Sequence, residues 1–281
     1  MIVPVRNGAG SLPRLLRSLD AQTLTPERFE VIVVDNDSSD GTDDIAASHG
    51  ARVIHEPVAN RSRARNRGAA EASSGMYAFT DADCVAHPGW LEGLLAGSHL
   101  APLVAGEVKL RVRERPNAIE RFEALWRFGQ QSWVEHQGWA ATANLLVHAD
   151  AFHAIGGFDP TWRHIGEDVD FCWRARYSGY PLTYHPGAIV EHQGESQLGP
   201  LLQRCFRHGY SVNQAFYRLG AGYRAWRDPL PALIGDRALR EIGHAPGGFE
   251  RTEWRVMARL ARVAYAARVA GSIWAEVVRA R

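Results

Sequence analysis

The segment "FEVIVVD", residues 29–35, is apolar without a break from Val31 to Val34 and then stops on a carboxylate. A strand with one face in water alternates polar and apolar residues. An unbroken run has to be covered on both faces, as inside a parallel sheet with helices on either side. Three further apolar runs, "IVPV", "ARVIHE" and "MYAFTD", share the first 81 residues with it. Helical stretches lie between them. Leu12, Leu15, Leu16 and Leu19 fall on one side of the first, with Pro13 in its opening turn and Ser11 placed to cap it. "SSDGTDDIAASHG" reads as a second helix, capped from Ser38, Ser39 or Asp40 and ended at Gly50, and "SRARNRGAAEASSG" as a third. The order β-α-β-α-β-α-β specifies an open α/β sheet joined by right-handed crossovers.

At 281 residues the chain can bury a full core, as one large domain or one and a half. Its 46% hydrophobic and 22% charged residues are those of an ordinary globular protein. Three cysteines imply no disulfide framework and favour a reducing compartment. The sequence enters its first strand at "MIVPV", so no secretory leader is expected, and no run of eighteen apolar residues would span a membrane. A cytoplasmic protein is the expectation. Charge is divided unevenly: residues 1–198 hold 18 basic against 25 acidic side chains, and residues 199–281 hold 14 against 6. A basic tail on an acidic body fits an anionic membrane surface or ligand, and fits equally well packing on its own body.

In open α/β sheets ligands bind beyond the carboxyl ends of the strands. There the chain places "VRN", "DNDSSD" and "DAD", with neither a G-x-x-x-x-G-K-[ST] loop nor a G-x-G-x-x-G turn. The alternation then loosens. "LVAGEVKLRV" reads as a strand and "NAIERFEALWRFGQQSWVEH" as one amphipathic helix. A helix from Glu167 to Tyr177 and a strand pair broken at Pro186-Gly187 follow, then helices over 199–281 interrupted between Arg227 and Gly248.

Seven motifs in this order, "PVRN", "VVDNDSSDGT", "ARNRG", "FTDADC", "GGFD", "GEDVDFCWRARYSGY" and "EH", resemble the GT-A glycosyltransferases of the large inverting family numbered two. The resemblance covers Ile2 to about His192. It implies a GT-A α/β fold, a mixed but mostly parallel central sheet flanked by helices, followed by a helical C-terminal extension. Residues 1–105 would form the nucleotide-sugar half, 106–198 the acceptor and catalytic half, and 199–281 the basic extension. The implied reaction is metal-dependent, inverting transfer of a sugar from a nucleoside-diphosphate sugar to an acceptor hydroxyl.

Chemistry assigns the residues within that frame. A hard divalent ion, Mn²⁺ or Mg²⁺, suits one or two carboxylates plus diphosphate oxygens. The resemblance gives the metal to Asp83 and the ribose to Asp81, with His192 as a further ligand. The other reading of the aspartates is a turn capping the helix at "HPGWLEGLL", and that of His192 a plain hydrogen-bonded surface residue. Asp35 would accept from a pyrimidine N3–H, favouring UDP or dTDP, although guanine N1–H would serve as well. Pro4 and Arg6 would flank the base, and Arg65 would contact base or diphosphate, with Arg61, Arg63 and Arg67 solvated around it. Asp168 is the expected general base, on a helix start that otherwise needs carboxylates only as caps. Glu167, Trp139 and Trp162 are weak acceptor-site candidates. A non-catalytic nucleotide- or glycan-binding subunit and a nucleotidyltransferase are the rival readings. The acceptor is left open between glycan, lipid-linked and small molecules, and nucleic acid is not a partner. In the last helix Arg255, Arg259 and Arg262 form a basic stripe opposite Val256, Leu260, Val263, Ala267 and Trp274, fit for a membrane interface, a second subunit or the chain's own body.

Overall fold

A computed structural model of the chain describes residues 1–126, 129–162, 165–219 and 251–279. The sequence-read alternation is present: β1 (Ile2–Val5), α1 (Leu12–Asp20), β2 (Ile32–Asp35), α2 (Thr42–Ser48), β3 (Arg52–His55), α3 (Arg61–Glu71) and β4 (Met76–Phe79). Then come β5 (Cys84–Ala86), α4 (Trp90–Ser98), β6 (Leu103–Arg111), α5 (Ala118–Trp126) and the single turn α6 (Gln130–Ser132). β7 (Leu145–His148), α7 (Ala149–Ala154), α8 (Glu167–Tyr177), β8 (Leu182–Gln193), α9 (Leu198–Leu219) and α10 (Arg251–Arg279) complete the described elements.

The strands form one sheet in the order β3-β2-β1-β4-β7-β6-β8-β5. β3, β2, β1 and β4 are parallel, β7 runs antiparallel to β4 and β6, β6 and β8 are parallel, and β5 is antiparallel to β8. All of Ile32 to Asp35 is buried, as the unbroken apolar run demands. One core cluster joins Val3, Val33, Leu12, Leu15, Leu19 and Trp90 across sheet and helices. The expected break at Pro186-Gly187 is a register shift: His185 pairs with Gly106 but Ile189 with Glu107. Asn144 pins it from inside, donating to the Glu107 and Ala188 carbonyls at 2.9 and 2.8 Å and accepting from Trp90 Nε1 at 2.8 Å.

Several local expectations are corrected. Ser11 caps nothing and instead donates to the Gly8 carbonyl. Gly41, at φ +78°, directly precedes α2; Asp40 accepts from Thr42 N at 3.3 Å at the helix start as well as from Ala9 N, while Ser38 and Ser39 bond only the neighbouring loop. The single long helix read over 117–136 is broken, because α5 ends at Trp126 and a π-turn occupies residues 133–137.

Residues 1–111, 128–163 and 167–193 form one compact unit, and residues 112–127, 164–166 and 194–281 a second. β6 crosses residue 105, so the two expected halves share one sheet. In the second unit α10 packs on α9 through Met257, Ala261, Ala264, Gly271 and Ala275, all buried. A Cβ on Gly271 would run into the Phe206 carbonyl, and one on Gly209 into that of Arg268, so the glycines permit the close approach. Of the apolar stripe, Val256, Val263 and Trp274 are exposed, with Leu260 and Ala267 part-buried. The interruption read between Arg227 and Gly248 lies outside the described residues, as does the Arg255 side chain.

Candidate active site

The parallel strands β2, β1 and β4 deliver their carboxyl ends to one edge, which carries Asp35, Arg6 and the Asp81–Asp83 turn. The loops after β1 and β2 are stitched together there. Asn7 and Asp37 adopt left-handed backbone at φ +53° and +64°, which short polar side chains tolerate. Asn7 N donates to Ser38 Oγ at 2.9 Å, Ser39 N to Asn7 Oδ1 at 2.9 Å and Ala9 N to Asp40 Oδ2 at 3.0 Å. Bonds from Thr42 and then Ala9 hold the Asp40 carboxyl below the usual carboxylate range. Arg6 is exposed and pairs with Asp37 at 3.3 Å, while Pro4, opposite Val34, is part-buried.

Asp35 is 6% exposed. Its Oδ2 lies 3.4 Å from His55 Nδ1, and its Oδ1 is buried with no hydrogen-bond partner among the described residues. A buried, unsatisfied carboxylate oxygen carries a substantial desolvation penalty, so it marks a place where a ligand N–H belongs.

The DAD motif is the turn between β4 and β5, closed by Cys84 N donating to the Asp81 carbonyl at 3.0 Å. It caps no helix, since α4 begins after Gly89 without a side-chain cap. β5 pairs with the end of β8, which sets Cys84 directly opposite His192. His192 Nδ1 lies 2.8 Å from the Gln193 carbonyl, an oxygen that can only accept, so Nδ1 carries the hydrogen. Nε2 therefore faces the carboxylates, 3.5 Å from Asp83 Oδ1 and 3.7 Å from Asp81 Oδ2. A lone pair opposite two carboxylates needs a cation between them, a proton or a metal ion. The Asp83, Cys84 and His192 ligand atoms all lie within 4.8 Å of one another. This carboxylate–imidazole set fits Mn²⁺ and, less well, Mg²⁺. Burial would push the Asp81 carboxyl up, but the His192 bond and the charges of Arg65, His192 and Arg61 together hold it well below its usual range.

α3 and α8 close the edge. "ARNRG" and "GGFD" are bonded reciprocally, Phe158 N donating to Asn66 Oδ1 at 2.9 Å and Asn66 Nδ2 to the Phe158 carbonyl at 2.8 Å. Gly157, at φ +68°, has no room for a Cβ, which would sit 2.7 Å from Asn66 Oδ1. Arg65 is 2% exposed and lies 5.5 Å from the Phe158 ring centre. Its Nη1 bonds Glu167 Oε1 at 2.9 Å and its Nη2 bonds Asp81 Oδ1 at 3.2 Å. One buried guanidinium thus joins the DAD turn to the start of α8. Next to Glu167, Asp168 is pushed up to about 7 by burial and then by the Glu167 charge, against the pull of Arg65 and Arg61.

Asp81, Asp83, His192, Arg65 and Glu167 are linked by these contacts, and Asp168 adjoins them along the chain. Glu167 is 3% exposed and held by arginines, a placement unlike that of a residue awaiting an acceptor. Trp162 is buried, and Trp139 is buried and stacked on Trp133 with ring centres 4.4 Å apart. The more open ring of that stack is Trp133, which the sequence reading passed over. It also placed Arg61 in solvent, and the side chain is half exposed, but it missed that Arg61 Nη1 lies 3.6 Å from Glu167 Oε1. The signal was available: Arg61 stands four residues before Arg65, on the same side of a helix.

A family model described as glycosyl transferase family 2 matches residues 1–121, and one described as glycosyl transferase family group 2 matches residues 79–278. The pre-mycofactocin glycosyltransferase of Mycobacterium tuberculosis is 34% identical over 256 residues, covering 85% of this chain and 50% of that protein. Glycosyltransferase AglE of Haloferax volcanii is 32% identical over 218 residues, covering 74% of this chain and 71% of its own length. The chain thus spans about half the length of the first of these relatives. The structure of mannosyltransferase PcManGT from Pyrobaculum calidifontis, solved with GDP-Man and Mn²⁺, superposes with a TM-score of 0.62 at 16% identity, over 97% of this chain and 86% of that one. That likeness shows a shared fold, the GT-A arrangement.

Proposed function

The chain belongs to glycosyl transferase family 2, and on that footing we propose that it transfers a sugar from a nucleoside-diphosphate sugar to an acceptor hydroxyl with inversion. The observation that carries this reading is Arg65, whose two ends hold Asp81 and Glu167 and so draw the expected donor and base segments to one place. Asp35 Oδ1, buried without a partner, receives the ring N–H of the base, N3–H of uracil or thymine or N1–H of guanine. Pro4 and Arg6 flank that base. Asp83 and His192 hold a divalent ion, with Asp81 beside them for the ribose. When bound, that ion supplies positive charge to the diphosphate. Asp168 takes the proton of the acceptor hydroxyl as the hydroxyl oxygen attacks the anomeric carbon from the side opposite the leaving group. A base with a pKa of about 7 is matched to that task near neutral pH. Glu167 orients the helix start that carries it.

The acceptor is a glycan, a lipid-linked molecule or a small molecule. No helix among the described residues is long and apolar enough to cross a membrane. The exposed Val256, Val263 and Trp274, with Arg259 and Arg262, make α10 the element suited to a membrane surface or a second subunit. A thermal-shift screen of UDP, dTDP and GDP with and without Mn²⁺ tests the donor half, since a ligand of the folded state raises the melting temperature. Stabilisation by one diphosphate that requires the ion is expected. Indifference to every nucleotide, with and without metal, would remove the reading.

A further inference from the structure

α3 carries arginines at 61, 63, 65 and 67, which the sequence alone does not rank. The fold separates them. Arg67 pairs with Glu71 at 3.3 Å and Arg63 with Glu56 at 3.2 Å, both carboxylates outside the candidate site. Arg65 is buried between Glu167 and Asp81. Arg61 is as exposed as Arg63 and Arg67, at 53% of its side chain, but its partner is a carboxylate of the site. Its contact with Glu167 is the looser one, 3.6 Å, to an oxygen that Arg65 already holds at 2.9 Å. Glu167 first, then Asp81, Asp168 and Asp83, raise the Arg61 pKa, so one guanidinium senses all four carboxylates of the site.

Charge balance gives that position a use. With all four carboxylates ionised, the two guanidiniums, Arg61 and Arg65, and a divalent ion would balance them. A diphosphate then arrives as surplus negative charge, and the surplus grows as its bond to the sugar breaks. Stabilisation of developing charge requires a cation that can face it. Arg65 is unsuited, because its departure would leave Glu167 buried and uncompensated. Arg61 is suited: when it leaves, Glu167 keeps the closer Arg65 at 2.9 Å, and the half-exposed Arg61 guanidinium gives up only a contact of 3.6 Å.

Resting on the transferase reading above, we propose that Arg61 is a diphosphate-binding residue, which turns from Glu167 to the phosphate oxygens of the donor and holds the departing nucleoside diphosphate. Its guanidinium fork matches two phosphate oxygens, and on product release it returns to Glu167. The site therefore has two arginines with separate duties, Arg65 fixed and Arg61 exchanging.

The test is calorimetric titration of the full chain with Mn²⁺, using UDP, dTDP and GDP, each against its monophosphate. Arg61→Gln should weaken the diphosphate that wild type binds by roughly ten- to a hundredfold, as expected for losing a charge-assisted bond. Monophosphate affinity should change less than about twofold. Arg61→Lys should recover part of the loss, as a point charge without the fork. Equal diphosphate affinity in wild type and Arg61→Gln would overturn the proposal, and so would a loss shared equally by mono- and diphosphate in both variants. A wild-type chain that binds none of the three diphosphates would instead sink the transferase reading on which it rests.

Discussion

The sheet unit and the helical pair α9–α10 bury different kinds of side chain. In the sheet unit Ile2, Ile32, Leu12, Phe79, Trp90, Phe158 and Phe171 are wholly enclosed. On α10 the enclosed residues are Met257 and the small Ala261, Ala264, Gly271 and Ala275, while Val256, Val263, Ile273, Trp274 and Val277 lie outside. Burial of apolar area is worth about 25 cal/mol per Å², so the sheet unit carries the larger reserve of stability. That reserve supports a polar edge with four neighbouring carboxylates, an arrangement unfavourable by itself. The helical pair is held by close backbone approach, with Ser272 Oγ donating to the Gly209 carbonyl at 2.8 Å, and it leaves its bulk facing outward.

The contrast can be broken most severely at the edge of the sheet. Asp168→Asn should lower sugar transfer roughly a thousandfold, about 4 kcal/mol of barrier, with nucleotide affinity close to wild type. Steady-state transfer and calorimetry would check it, and unchanged turnover would take Asp168 out of the chemistry. Next in size is the helical seam. Gly271→Val should destabilise the α9–α10 pair by about 1–3 kcal/mol through overpacking against Phe206. Hydrogen exchange should quicken in those helices and stay the same in β1 and β2, and equal quickening in both units would erase the distinction.

A gentler probe is pH. With the Asp168 carboxyl at about 7, transfer should rise as pH passes through 7 and fall about tenfold per unit below it. The stability sign is opposite. Folded Asp168 keeps a proton that the unfolded chain has already released, so this group's contribution declines as pH rises from about 4 to about 7. Asp81 is depressed and works the other way: its contribution is present above the normal carboxylate range and is lost on acidification. A rate profile flat between pH 5 and 8 would contradict the assignment. The smallest effect belongs to Trp274→Ser, which should alter stability by no more than about 0.5 kcal/mol. Co-sedimentation with anionic vesicles and sedimentation velocity would show whether the outward stripe binds lipid or a second copy. A large loss of stability would mean that Trp274 is packed after all.

How much of the site was legible follows from how local each signal is. Asp35, the DAD turn and Glu167-Asp168 were visible because polar residues that end buried strands or begin helices stand out against apolar surroundings. The serine caps were misread for the converse reason. Ser38 and Ser39 have side chains suited to a helix start, and a loop 31 or 32 residues earlier offers them backbone and side-chain partners that a local reading cannot see, leaving Asp40 alone to accept from Thr42 N. The same applies to Trp139, whose ring looked available for a sugar and is stacked on Trp133. On α10 the apolar stripe was legible but its partner was left open between membrane, second subunit and the chain's own body, and the fold buries Met257, Ala261, Ala264 and Ala275 instead.

Strand and helix order, the two-sided burial of residues 32–35 and the carboxylates at the strand ends were determined by the sequence itself, since each depends on periodicity and neighbours a few residues away. Tertiary structure alone decided which of four arginines on α3 is buried and which of the exposed three meets the site's carboxylates, which nitrogen of His192 faces Asp83, and which face of the last helix is covered. Those outcomes rest on partners scores of residues distant, such as Glu167 for Arg65 and Phe206 for Gly271. A side chain's charge and shape specify what it can bind, and only the folded chain specifies what it meets.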